Sequence, residues 1–197
     1  MLFRSPFRKW YGNLDLVVNW ENHGNDIKAS GGAIIPSEQL YFKEAVCWGR
    51  LTAGTESYRL HPSGILPGDL APCFYSTDHV SAISYFNTKV SRYFKSIINP
   101  TLTNTVGDLA RIPGWNPTSG SVSCSVNSIS ILVRVHKVDW NSYETSWDFT
   151  SLPFLNPEYR RPTLKATYQK LRAHWREMTL EMHQLEEENN RIFIDAY

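Results

Sequence analysis

The sequence has almost no excess of charge of either sign. Its 20 Lys and Arg residues stand against 19 Asp and Glu residues, a formal net charge of +1. This excludes a strong global field that would attract nucleic acid or anionic lipid, so any basic surface has to be local. The sequence also lacks a run of eighteen apolar residues, and residues 1–6 contain no apolar signal-peptide core. We therefore expect a cytoplasmic protein without a membrane span.

Cysteine is scarce and catalytic motifs are missing. Cys47, Cys73 and Cys124 are odd in number and far apart, which indicates neither a disulfide framework nor a zinc site and favours buried thiols. The six histidines include no pair at metal-ligand spacing, and the sequence contains no GxSxG, Walker A, HExxH or GxGxxG motif. We expect neither a metal nor catalytic residues in this chain.

The first half of the sequence is rich in strand-forming residues and turns. Residues 14–20, 41–48 and 57–60 are short β-forming runs separated by Gly and Pro, which predicts a small half-buried sheet. Asp78 then resembles a helix N-cap, and apolar residues recur at steps of three and four until Pro100, which predicts one amphipathic helix. Its other side carries Lys89, Arg92 and Lys95, either a cationic binding arc or a solvated face.

The second half is predicted to be helical at its end. Pro and Gly residues between 113 and 121 mark a domain boundary, after which the spacing over residues 121–138 fits a helix or a strand equally well. From the Thr163 cap onward, apolar residues keep one seam over four heptads, which predicts a helix about 50 Å long that projects and needs a partner for its seam. Asn189 lies in that seam, where a polar residue fixes register.

Together these patterns predict an α+β fold. A small domain of mixed strands and helices over residues 1–115 is followed by a linker and helical or irregular segment over 116–162 and by the long heptad-patterned helix over 163–197.

Several phrases of the sequence carry a resemblance to a known family. They are FRKWYGN (7–13), VVNWEN (17–22), YFKE (41–44), FNTKV (86–90), NPTL (99–102), VGDL (106–109), DWNSYETSWDF (139–149) and LEEENNRIF (185–193). In this order they resemble the C-terminal target-recognition region of the PglX family, the adenine-specific DNA methyltransferases of BREX phage-defence systems. Residues 64–69 and 116–138 depart from the family pattern.

The resemblance implies a division of labour. The catalytic half of such an enzyme, with its S-adenosylmethionine pocket, would lie upstream, so no cofactor is expected in this chain, while this region recognises double-stranded DNA. It would also contact the catalytic domain or other defence-system subunits.

Twelve residues are the candidates for DNA contacts. The candidate phosphate contacts are Arg8, Lys9, Lys89, Arg92 and Lys95. The candidate base contacts, chosen because Arg suits guanine and Asn suits adenine, are Arg50, Arg59, Asn87 and Asn104. Trp10, Trp48 and Tyr58 could pack against sugars or between bases.

Two alternatives remain at this point. The chain could be a protein-interaction module whose heptad helix docks another defence subunit or dimerises, without direct DNA binding, which the near-neutral charge and the unpaired seam favour. A stand-alone hydrolase using His61 and Asp69 has only composition to support it.

Overall fold

The computed structural model describes residues 7–52, 54–114 and 121–197, without the side chains of residues 121–126. The strands are β1 (Ala45–Trp48), β2 (Tyr58–His61) and β3 (Cys73–Phe74). The α-helices are α1 (Asn25–Ala29), α2 (His79–Phe86), α3 (Lys89–Ile98), α4 (Val106–Arg111), α5 (Ser121–Asn141) and α6 (Leu164–Ala196). Short 3-10 turns cover Glu21–Gly24, Glu38–Leu40 and Pro153–Leu155. The predicted α+β fold class is confirmed.

The three strands form one antiparallel sheet in the order β2-β1-β3. Because successive side chains of a strand point to opposite faces, one face of the sheet carries Val46, Trp48, Tyr58, Leu60 and Phe74. This face builds the hydrophobic core, in which the Trp48 and Tyr58 rings lie 5.9 Å apart. Strand β2 confirms the prediction made for residues 57–60.

Residues 14–20 do not form the predicted strand. They are irregular, and Leu16 and Val17 are exposed. A β-forming run becomes a strand only when a neighbour accepts its backbone hydrogen bonds, and the described part of the chain places no strand beside this one. Residues 41–44 are likewise a turn, so the strand predicted over 41–48 begins at Ala45.

The single helix predicted after Asp78 is divided in two. Asp78 does cap α2, since its carboxylate accepts a hydrogen bond from the Ser81 amide at 2.9 Å. However, Asn87 ends α2, and the Thr88 hydroxyl oxygen accepts from the Ser91 amide and caps α3. A cap residue has non-helical backbone angles, so the apolar spacing continues through a break that periodicity alone does not reveal.

Residues 121–141 are helical, which answers the question that the sequence left open. In α5, Ile129 and Leu132 are fully buried, one helical turn apart. The helix packs against α2 and α6. A buried face at a spacing of three residues is typical of a helix. The alternating Ile and Val residues of this segment therefore lie on different sides of the helix and not on one face of a strand.

Helix α6 begins after its predicted cap, because the Thr163 hydroxyl accepts a hydrogen bond from the Ala166 amide. The expectation that this helix projects is wrong for its C-terminal half, which packs against the core. Asn189 and Phe193 are buried, and Met182 and Leu185 pack against the core. The seam of that half therefore finds its partner within the chain.

Asn189 fixes register as predicted, but against α2 of the same chain. Its side-chain oxygen accepts a hydrogen bond from the Ser84 hydroxyl at 2.6 Å, and its side-chain nitrogen donates to the Ser84 carbonyl at 3.0 Å. Because both groups are buried, sliding α6 along α2 would leave them unsatisfied.

One hydrophobic core joins the three predicted segments. Its buried members include Val46 and Ile83 from the first segment, Ile129 and Leu132 from the second, and Phe193 from the third. The division at residues 115 and 162 stays a prediction about domains, but residues on both sides of each boundary pack together. Among the described helices, none has the length and apolarity needed to cross a bilayer.

Candidate nucleic-acid interface

The N-terminal segment joins the sheet through Trp10. The Trp10 amide donates to the Tyr58 carbonyl at 3.0 Å, and the Leu60 amide donates to the Trp10 carbonyl at 2.9 Å. Trp10 itself has a φ of +65°, a conformation that is rare for a large side chain and is held here by tertiary contacts. This anchoring places residues 7–9 beside α5 and α6.

A groove of about 620 Å³ opens along this segment. We call it the charged groove, and its lining residues are Phe7, Arg8, Lys9, Thr55, Arg92, His136, Asp139 and Glu186. It thus brings together three of the twelve candidates, one from α3 and two from the N-terminal segment.

Glu186 of α6 uses both carboxylate oxygens on the N-terminal segment. Oε2 lies 2.9 Å from the Lys9 ammonium, and Oε1 accepts a 2.6 Å hydrogen bond from the Trp10 indole. The Trp10 ring is buried, so this acceptor satisfies an indole N–H that water cannot reach. Lys9 is therefore neutralised within the fold.

Arg8 is held in a similar way by α5. Its guanidinium lies 2.8 Å from the Asp139 carboxylate and 4.9 Å from the centre of the Trp140 ring. Gly12 makes this packing possible: it has a φ of +118°, and a Cβ there would lie 2.8 Å from Arg8 Cδ and 3.0 Å from the Trp140 ring. The cation is fixed between an acid and an aromatic face.

Arg92 differs from the other two cations of the charged groove. It is exposed on α3, and among the described residues no carboxylate lies within ion-pair distance of it. The groove therefore has three cations against two carboxylates, an excess of one positive charge. Burial lowers the pKa of His136, which keeps its imidazole neutral at pH 7. An anionic group fits this electrostatic pattern.

Most of the other candidates lie inside the fold. The buried ones are Trp10, Trp48, Tyr58, Arg59, Asn87, Lys95 and Asn104. Each has a partner there, and a side chain buried in this way reaches a base or a phosphate only by leaving that partner. Lys89 is exposed at the start of α3, on the same helix as Arg92.

The two buried candidate asparagines bind backbone and aromatic groups. The Asn87 side chain accepts from the Tyr58 amide at 3.0 Å and donates to the Tyr58 carbonyl at 2.9 Å, as a neighbouring strand would. The Asn104 side-chain nitrogen donates to the Tyr58 hydroxyl at 3.3 Å, and the Asn104 backbone carbonyl accepts from the Trp48 indole at 2.8 Å. These contacts link α2 and the loop before α4 to the sheet.

The predicted cationic arc of α3 is reduced to Lys89 and Arg92. Lys95 turns inward and pairs with Glu56 at 2.9 Å, with both side chains largely buried, and it also donates to the Thr101 carbonyl. Arg59 is buried on β2 and donates to the Arg8 carbonyl at 3.3 Å. Arg50 stays on the surface, paired with the exposed Asp69.

The hydrolase alternative gains nothing from the structure. His61 is buried and faces the Cys73 sulfur, whereas Asp69 is exposed and paired with Arg50. Among the residues that the structure describes, no group of three His, Cys, Asp or Glu side chains is placed to hold a metal ion.

Sequence reasoning missed five groove residues: Phe7, Thr55, His136, Asp139 and Glu186. Lys9 and Glu186 are 177 positions apart, so no local pattern connects them. The one available signal was the pair of phrases at 7–13 and 185–193, both of which carry the family resemblance.

Sequence comparison places the chain among adenine-specific methyltransferases, although no family model matches it. It is 31% identical over 206 aligned positions to the adenine-specific methyltransferase PglX of Lacticaseibacillus casei (strain Zhang), a match that covers 98% of the chain and 17% of that protein. It is 30% identical over 155 positions to the adenine-specific methyltransferase BrxX of Escherichia coli O9:H4 (strain HS), covering 74% of the chain and 12% of that protein.

The chain is therefore related to the adenine-specific methyltransferases of BREX-type systems, which confirms the predicted resemblance. It spans about a sixth of the length of the first of these relatives and less of the second.

Proposed function

We propose that this chain is the DNA-recognition region of an N6-adenine-specific methyltransferase of a phage-defence system, and that the charged groove and the adjoining surface of α3 contact the DNA backbone. The relatives support the enzyme class. The observation that carries the DNA role is the exposed Arg92 in a groove whose other two cations are already neutralised by Asp139 and Glu186.

Each cation has a distinct part in this proposal. Arg92 and Lys89, both exposed on α3, bind phosphates. Arg8 and Lys9 build the wall of the groove through their ion pairs. Arg50 is the candidate base contact that remains on the surface, and it reads guanine when DNA displaces Asp69 from its guanidinium.

Methyl transfer belongs to the remaining length of the enzyme in this proposal. The chain contains no Gly-rich cofactor motif. Residues 156–159 (NPEY) resemble the Asn-Pro-Pro-Tyr loop with which N6-adenine methyltransferases hold the flipped base, but they carry Glu at its third position. Those residues form a turn in which the Asn156 side chain accepts from the Glu158 amide at 3.0 Å. We expect the isolated chain to incorporate no methyl group from S-adenosylmethionine into DNA, and measured incorporation would overturn this assignment.

Binding of the purified chain to duplex DNA at increasing salt tests the proposal. We expect the logarithm of the affinity to fall linearly with the logarithm of the salt concentration, because phosphate contacts release counterions. Arg92→Ala should weaken binding several-fold and reduce the slope by about one.

Lys165→Ala is the matched control. Lys165 is exposed near the start of α6, 21 residues from Glu186 and thus about 31 Å along the helix axis. Lys165→Ala removes the same charge as Arg92→Ala and should leave the dependence of the affinity on salt unchanged. Salt-independent binding, or equal losses in the two variants, would contradict a phosphate contact at Arg92.

A second function, protein docking, is favoured by the first half of α6. Leu164, Tyr168 and Trp175 of its seam are exposed, as is Leu155 of the preceding turn. A cluster of exposed large apolar residues marks an interface. The occupant we propose is the remaining length of the methyltransferase, since the chain corresponds to only 17% of its relative.

Sedimentation velocity distinguishes docking of the methyltransferase remainder from dimerisation of the chain. The chain alone should remain a monomer as its concentration rises, and it should form a complex with the methyltransferase remainder that Tyr168→Glu weakens. Dimerisation of the chain alone would assign the same face to a second copy instead.

A further inference from the structure

The sheet face opposite the aromatic core carries a row of reactive side chains. Arg59 on β2, Cys47 on β1 and Cys73 on β3 are directly opposite one another in the strand register. Opposed residues of antiparallel strands have Cα atoms about 4.5–5.5 Å apart, a separation within the range that a disulfide spans. Their side chains also point to the same face, so the two sulfur atoms are neighbours.

The surroundings favour one thiolate in this pair. Interaction with the Cys73 side chain, together with the charge of Arg59, lowers the pKa of Cys47 to about 7 although burial acts against it. Interaction with the Cys47 side chain and burial raise the pKa of Cys73, which keeps its proton. The ionised sulfur of Cys47 is therefore the better nucleophile.

The Cys73 sulfur has two further polar neighbours. The Cys73 sulfur lies 3.7 Å from His61 Nδ1 and 3.6 Å from the Ala71 carbonyl oxygen. Burial lowers the pKa of His61 to about 4, so its ring is neutral at pH 7. Cys73 is half-buried whereas Cys47 is buried, so a small reagent enters past Cys73.

We propose that Cys47 and Cys73 form a dithiol site that hydrogen peroxide oxidises to a cross-strand disulfide. The Cys47 sulfur attacks one peroxide oxygen; an S–O bond forms, the O–O bond breaks and hydroxide leaves, which gives a sulfenic acid. The released hydroxide takes the Cys73 proton and becomes water, and the Cys73 sulfur attacks the sulfenic sulfur; an S–S bond forms and a second hydroxide leaves. Two thiols and one peroxide yield one disulfide and two waters, with two electrons passing from sulfur to oxygen.

The disulfide would join β1 to β3 and close the segment that includes Arg50 and β2. This site is independent of DNA binding, so either proposal can fail without the other. Cys124, whose side chain lies outside the described residues, is the third cysteine and provides the internal control.

The test is peroxide treatment of the full chain, followed by alkylation and peptide mass spectrometry without reduction. We expect two of the three thiols to be lost together and a linked pair of peptides containing Cys47 and Cys73. The disulfide form should also melt at a higher temperature than the reduced form, because the bond restricts the unfolded chain.

Three variants sharpen the result. Cys124→Ser should form the bond unchanged, Cys73→Ser should leave a sulfenic acid on Cys47 that dimedone traps, and Cys47→Ser should form no intramolecular bond. The wild-type measurement needs no variant and remains decisive if a substitution prevents folding. Oxidation confined to Cys124, or bonds formed only between molecules, would overturn the proposal.

Discussion

Glu186 binds the indole nitrogen of Trp10 at 2.6 Å across 176 positions of sequence, and this contact closes the charged groove at the N-terminal segment. The same carboxylate neutralises Lys9. The last helix thereby determines where the first described residues lie, and a single substitution on α6 is expected to change both the stability of the fold and the shape of the groove.

Glu186→Ala should lower the free energy of unfolding by about 2 kcal/mol, because it leaves the buried Trp10 indole without an acceptor. Urea titration measures the change. Glu187→Ala is the matched control, since Glu187 is exposed and has only a 3.7 Å contact with the exposed His183. Equal stability of the two variants would show that the Trp10 contact contributes nothing.

Asn87→Ala should destabilise the protein by about 2 kcal/mol, since it removes two hydrogen bonds to the buried Tyr58 backbone. Thermal and urea unfolding report this loss. Gln39→Ala, which removes an exposed amide, should be neutral within about 0.5 kcal/mol. If Asn87→Ala instead unfolds like the wild type but loses DNA binding, Asn87 is a base contact after all.

Lys95→Ala should lower the free energy of unfolding by about 3–5 kcal/mol, because it leaves the largely buried Glu56 carboxylate without its partner. The double substitution Lys95→Met with Glu56→Leu should recover much of that loss, since no unpaired charge remains buried. Unfolding of the single and double variants measures the coupling between the two residues. An additive result would contradict the pairing.

Stability should fall as the pH falls from about 6.5 to about 4. Burial, followed by the charge of Arg59, lowers the pKa of His61 from 6.5 to about 4. Between these values the unfolded imidazole binds a proton that the folded one does not, so protonation favours unfolding by up to about 3 kcal/mol. The lowered pKa of His136 acts in the same direction.

Urea unfolding at about pH 7 and about pH 4.5 tests this dependence. In His61→Gln the difference between the two conditions should shrink, because glutamine does not titrate. An unchanged difference would assign the acid sensitivity to other groups.

The sequence predicted several elements correctly because their signals are local. The Thr163 and Asp78 caps, strand β2 and the long final helix each depend on residues within a few positions of one another. The family resemblance was also readable from short ordered phrases, and the relatives confirm it.

The candidate contact residues were less predictable, because residue type does not reveal burial. Lys95 and Arg92 lie on one helix with the same kind of spacing and charge, yet one is buried against Glu56 and the other is exposed. Arg and Asn suit base edges, but the structure uses Asn87 and Asn104 to complete the hydrogen bonding of the sheet and its aromatic core.

The sequence by itself determined the class of fold, the long helix with its cap and the kinship with adenine-specific methyltransferases, since helix periodicity, capping and ordered phrases are properties of neighbouring residues. Only the tertiary structure decided that the C-terminal half of the α6 seam packs on its own chain, that Asn189 pairs with Ser84, and that Arg92 is the groove cation without a carboxylate partner among the described residues. The physical reason is that burial and charge pairing arise between residues far apart in sequence.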